Sequence, residues 1–175
     1  MRQGVSEGFD YIVAGGGSAG AVLAARFSER PSVRVLLLEA GPDTPPGAEP
    51  PEVRDTYMTV FFEPRFFWSD LRVQFGASGA PRRYEQARIM GGGSSVNAMI
   101  ALRGLPGDFD DWVNAGAAVW SWDAVLPYFR KLERDLDFGD DAMHGREGPI
   151  TIRRHRRDQW PGFCRAVAAA LEPPP

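Results

Sequence analysis

Apolar positions fall in short blocks separated by turn residues. Phe9–Ala14 (FDYIVA) and Val33–Leu38 (VRVLLL) are runs of strand length, the pattern of strands buried on both faces. Between them Ser18–Ser28 is small, apolar and helix-compatible, and Arg30-Pro31-Ser32 ends it. The order is strand, glycine turn, helix, strand. Ala24 and Phe27 are the helix positions expected to pack onto the sheet. Farther on, Val125, Leu126, Phe129 and Leu132 share one stripe, which predicts a helix over Trp122–Arg134 with Ser121 as its cap. Trp112, Trp120 and Trp122 read as core and helix-end packing, and Cys164 as a buried position in a weakly amphipathic helix. Ala166–Leu171 forms helix readily and stops at Glu172-Pro173-Pro174-Pro175, as an interrupted chain or a frayed tail does.

The junction of the first strand and helix carries chemistry. Gly15, Gly17 and Gly20 satisfy G-x-G-x-x-G directly after a strand, and Glu39 closes the second strand 19 positions after Gly20, near the expected ~20. In such a unit the first glycine permits a tight turn and the second lets backbone approach a pyrophosphate. The third allows close helix–strand packing. The helix start, Ser18-Ala19-Gly20, offers amides and a positive dipole end to phosphates. Glu39, with Ala40 beside it, suits ribose hydroxyls and argues against a 2′-phosphate, and so against NADP. An adenine dinucleotide is the ligand this spacing implies.

After Glu39 the regular βα alternation of an NAD dehydrogenase does not continue. Gly41–Pro51 is rich in proline and glycine, and Tyr57–Trp68 is rich in aromatics. Then Met90–Arg103 (MGGGSSVNAMIALR) brings a second place where backbone must come close to a ligand. A flavin dinucleotide needs such a segment against its isoalloxazine, far from the adenine, so FAD is the expected cofactor. Trp68 and Phe67 either flank that cofactor or are simple core aromatics. Arg88 either contacts a phosphate or caps a loop, the loop being preferred.

Two stretches carry a family resemblance. Phe9–Gly41 resembles the N-terminal FAD-binding motif of the glucose–methanol–choline (GMC) oxidoreductases, and Arg88–Gly104 (RIMGGGSSVNAMIALRG) resembles their first signature, written around L-G-G-S-S-x-x-N. The resemblance continues through Asp108–Trp112, Trp120–Glu133 and His144–Ile152. Met90 stands where leucine is usual and Gly93 where the first serine is usual, while Asn97 keeps the asparagine. This variant is more similar to members acting on hydroxymethyl-furan or aryl alcohols than to choline dehydrogenases. The resemblance implies an α/β fold, a Rossmann-like FAD-binding domain with a parallel sheet, present as an incomplete N-terminal portion. Residues 1–150 would belong to that domain and 151–175 would begin a substrate-domain segment. It further implies that Met90, Gly91, Gly92, Ser94, Asn97, Ala98, Met99 and Ile100 line the flavin, and that His144 is structural. The implied activity is oxidation of primary alcohols by hydride transfer to flavin N5. The histidine base of the family comes late in a much longer chain, and neither His144 nor His155 matches its motif. No catalytic residue is therefore assigned, and a missing C-terminal portion is expected as a partner. The competing reading is a non-catalytic nucleotide-binding module, possibly one for NAD.

Bulk properties restrict the partners. The 175 residues are 43% hydrophobic and 25% charged, with a formal net charge of -3, which implies no general attraction to nucleic acid or anionic membrane. The basic run Arg153–Arg157 lacks further basic or aromatic companions and reads as a solvated strand end. One cysteine, no apolar leader and no run of membrane-spanning length predict a soluble, cytoplasmic protein. No metal-ligand spacing stands out.

Overall fold

The structure, a computed structural model, describes residues 8–55, 59–139 and 141–171. Tyr57 and Met58 of the aromatic stretch, the residues up to Glu7 and the tail Glu172–Pro175 lie outside them. The chain forms two compact units, Met1–Ile100 and Ala101–Pro175.

In the first unit, β1 (Tyr11–Ala14), α1 (Ser18–Phe27) and β2 (Val35–Leu38) form the expected βαβ crossover. β1 and β2 are parallel, with Tyr11 opposite Val35 and Ala14 opposite Leu38. A parallel pair cannot be joined by a hairpin, so the connection runs through a helix. Ala24 and Phe27 of α1 are half-buried, and the Phe27 ring stacks on Tyr11 at 4.4 Å. The expected burial of both strand faces is not observed: Ile12 is 64% exposed and Tyr11 and Leu38 are also exposed. Among the described residues no further strand pairs with β1 or β2, so one helix alone covers this sheet.

The rest of this unit has little regular structure. After α2 (Pro51–Arg54) come short 3-10 turns and a hairpin of β3 (Arg72–Val73) and β4 (Arg82–Arg83). Its core is Val60, Phe66, Phe67, Ile89 and Val96, with Val53 and Ala87 against it. Ile89 and Val96 flank the second glycine cluster, so the core anchors that cluster at both ends.

The second unit contains α3 (Pro106–Asn114), α4 (Trp122–Leu132), β5 (Glu133–Asp135), β6 (Ile150–Ile152) and α5 (Gly162–Leu171). Phe109 is its aromatic centre, with the rings of Trp112 and Trp122 at 5.4 Å and Phe129 at 6.0 Å. Trp112 meets Phe109 and Trp120 by ring edges, and both tryptophans remain about half exposed. Ser121 Oγ accepts from Ala124 N at 3.4 Å, the expected cap. Three expectations need correction. The helix ends at Leu132, because Glu133 and Arg134 turn extended and pair in parallel with β6. Cys164 is exposed, since no layer covers that face of α5 among the described residues. Arg154, within the basic run, is not merely solvated: it pairs with Asp135 and Asp137.

Candidate functional site

The site is built from backbone. β1 ends at Ala14, and Gly15 turns the chain at φ +99°, a left-handed conformation that only glycine adopts readily. Gly15 N donates to Leu38 O at 2.7 Å, tying the turn to the end of β2. Gly17 caps α1 with ordinary extended backbone, φ -71° and ψ -174°, and gives the helix no side-chain cap. The N–H groups of Ser18, Ala19 and Gly20 therefore begin a helix with no intrahelical acceptor and no acidic residue in its first turn. A Cβ at Gly17 would meet only Gly92 Cα, at 3.9 Å, whereas one at Gly20 would lie 1.9 Å from Gly15 O. Gly20 is required by the chain itself. Gly17 is not, and the space it leaves lies before the positive end of α1.

The second glycine cluster packs against this turn. Gly91 N donates to Gly16 O at 2.7 Å, Gly17 and Gly91 form a parallel bridge, and Met90 N donates to Pro42 O at 3.0 Å. A Cβ at Gly92 would sit 2.7 Å from Gly17 Cα, and one at Gly41 would sit 2.2 Å from the Arg88 carbonyl. Three backbone segments thus converge: 15–17, 39–42 and 88–92. The cluster then forms a 3-10 turn, Gly92–Ser95, closed by Ser94 Oγ donating to Gly91 O and Ser95 Oγ to Met90 O.

Glu39 holds the first two segments together. Its Oε2 accepts from Gly16 N and its Oε1 from Gly41 N, both at 2.8 Å. Each carboxylate oxygen keeps a further lone pair for a ligand hydroxyl. Beside it lies a cavity of about 550 Å³ lined by Ala40, Phe67, Trp68, Ser69, Asp70, Leu71 and Arg88. The Arg88 guanidinium stands 5.5 Å from the centre of the Trp68 ring, so Trp68 and Arg88 form a wall of the cavity. Phe67, also in that lining, is at the same time a core residue.

The predicted residues therefore gather in one unit. Gly15, Gly17, Ser18, Ala19, Gly20, Glu39, Met90, Gly91 and Gly92 form the backbone junction, and Ala40, Trp68 and Arg88 share the cavity. Ser94, Asn97, Ala98, Met99 and Ile100 continue from the junction along an exposed segment. Sequence reading missed Gly16, whose Cβ would lie 2.6 Å from Met90 Sδ, and Gly41. Both were visible as glycines, but their spacing matches no fingerprint position. Ser69, Asp70 and Leu71 gave no signal at all.

The second unit holds a separate ionic cluster. β5 directs Glu133 and Asp135, two residues apart, to one face, and both are buried. Glu133 Oε1 accepts from Arg103 and from Gly145 N, and Asp135 accepts from Arg154 and the amides of Asp137 and Phe138. His144 Nδ1 lies 3.0 Å from Glu133 Oε1 and 3.2 Å from Asp135 Oδ2. Burial pushes the Asp135 carboxyl upward, but the Arg154 and backbone hydrogen bonds outweigh it and hold it at about 2. Glu133 is lowered in the same manner, burial being overcome chiefly by Arg103 and Gly145 N. Glu133, Asp135 and His144 have ligand-type atoms within 4.8 Å of one another. The two arginines and three amides already occupy the carboxylates, and the cluster works as a structural latch.

Comparison with known proteins bears on both units. A family model described as GMC oxidoreductase matches residues 9–172. The chain is 48% identical over 172 residues to 5-(hydroxymethyl)furfural oxidase of Methylovorus sp. (strain MP688), covering 94% of this chain and 32% of that protein. It is 37% identical to the mitochondrial choline dehydrogenase of Homo sapiens, covering 94% of this chain and 28% of that one. Among solved structures, pyridoxine 4-oxidase from Mesorbium loti superposes with a TM-score of 0.78 at 37% identity, over 95% of this chain and 33% of that one. The chain thus spans about a third of the length of these relatives.

Proposed function

This chain belongs to the GMC oxidoreductase family, and from that premise we propose that its first unit holds FAD in a flavin-dependent oxidoreductase acting on the CH–OH group of primary alcohols. The observation that carries the reading is the vacant space at Gly17. Nothing in the chain requires glycine there, and the gap lies between the α1 amides and Gly92. A pyrophosphate suits that position by charge, because it lies before the positive end of α1.

Around that point the other residues take complementary roles. Glu39 accepts from the ribose hydroxyls with its remaining lone pairs. Ala40, Trp68 and Arg88 flank the cofactor across the cavity. Ser94, Asn97, Ala98, Met99 and Ile100 lead from the pyrophosphate turn to the isoalloxazine, and their backbone donors stabilise the charge that develops there on reduction. Bound FAD supplies the hydride acceptor for the alcohol carbon. This chain's residues bind and orient; none is assigned as the base, and His144 is engaged by Glu133 and Asp135. The relatives' names, which refer to hydroxymethylfurfural, choline and pyridoxine, support an alcohol-directed activity.

A visible absorption scan tests the cofactor, and anaerobic mixing with a primary alcohol tests the chemistry. A protein carrying this chain at the full length of the family should show flavin bands that bleach with the alcohol. Flavin bands that no alcohol bleaches would contradict the activity, and a protein that takes up no flavin would contradict the whole reading.

A further inference from the structure

Met99 is the one non-glycine residue among those described with a positive φ, at 55°. Left-handed backbone is unfavourable for a long side chain, so something must hold it. The neighbouring Asn97 does so. Its Oδ1 accepts the N–H of Met99, and its Nδ2 donates to Ser94 O at 2.7 Å. Asn97 thus joins the 3-10 turn, itself closed by Ser94 and Ser95, to the strained residue two positions on. Its carboxamide is committed at both ends within the chain, although the residue is solvent-exposed.

We infer that Asn97 is a positioning residue: it acts through the backbone of Met99, fixing the course of Ala98-Met99-Ile100, and does not recognise the cofactor with its own side chain. The inference rests on the placement of this segment against FAD. Glycine at position 99 would accept the same backbone without help, and alanine would not.

Four variants of the full chain decide it: Asn97→Ala, Met99→Gly, and the combinations of Asn97→Ala with Met99→Gly or with Met99→Ala. Two quantities are read for each, the Tm of the protein without cofactor and the FAD affinity from flavin fluorescence quenching. Asn97→Ala should lower Tm and weaken FAD binding by roughly tenfold. Adding Met99→Gly should restore most of both losses, while adding Met99→Ala should restore neither. If Asn97→Ala yields no folded protein, folded double variant with Met99→Gly carries the same conclusion, and its absence the opposite. Additive losses with Met99→Gly overturn the inference. Recovery of Tm while no variant moves FAD affinity or the flavin absorption band leaves Asn97 as a brace of Met99 but overturns the placement of this segment at the cofactor.

Discussion

Gly17 and Gly20 are the same residue three positions apart, kept glycine for opposite reasons. At Gly20 the obstacle is the chain's own Gly15 carbonyl, 1.9 Å from where a Cβ would stand. At Gly17 the backbone is ordinary and the neighbourhood open. Gly20→Ala should therefore destabilise the folded chain by about 1–3 kcal/mol, seen as a fall in Tm without any ligand. Gly17→Ala should leave the ligand-free Tm nearly unchanged and weaken FAD binding at least tenfold, through overpacking against the pyrophosphate. Glu39 combines both kinds of role, since it accepts two backbone amides within the chain. Glu39→Ala should lower the ligand-free stability by about 1–3 kcal/mol as well as weaken binding, and equal Tm values would contradict its bracing role. Of these residues, the glycine spacing and the acid were legible in the sequence, because they follow from local geometry. The bracing of Gly16 and Gly41 by Glu39 was not, because it depends on which loops meet in space.

At the level of elements, the βαβ unit was readable from two short apolar runs and the glycine turn between them. So was the Ser121 cap of α4. The end of that helix was not readable. Its apolar stripe continues to Leu132, but Glu133 leaves the helix because Arg103 and the Gly145 amide bind its carboxylate in the buried latch. Those partners lie 30 and 12 positions away, beyond any periodicity. The latch has a pH signature. The Asp135 carboxyl is lowered from 3.8 to about 2 on folding, so its contribution is complete above the unfolded value and is lost as pH falls through about 2. Asp135→Asn should cost stability at pH 7, and the gap in Tm from the parent should shrink as pH drops from 4 toward 2. A gap independent of pH would show that the Asp135 charge is not what stabilises β5.

On the scale of the whole molecule, the apolar runs that identified the strands are not covered as a parallel sheet ordinarily is. Tyr11, Ile12 and Leu38 are exposed on β1 and β2, and Phe163 and Leu171 on α5. Unpaired strand edges and apolar patches favour association. The 175-residue polypeptide should therefore elute as oligomers in size-exclusion chromatography with light scattering, and a monodisperse monomer would contradict this. Burial was the least legible property for the same reason. A run such as VRVLLL signals what a strand can bury, while covering it takes layers that the described residues do not supply. The central claim, that the glycine junction is an FAD site, is tested most directly by calorimetric titration of the chain and its Gly17→Ala variant with FAD and with NAD. The account predicts tighter binding of FAD than of NAD by the parent chain and a loss of FAD affinity of at least tenfold in the variant. NAD binding more tightly, or FAD binding equally well to both proteins, would contradict it.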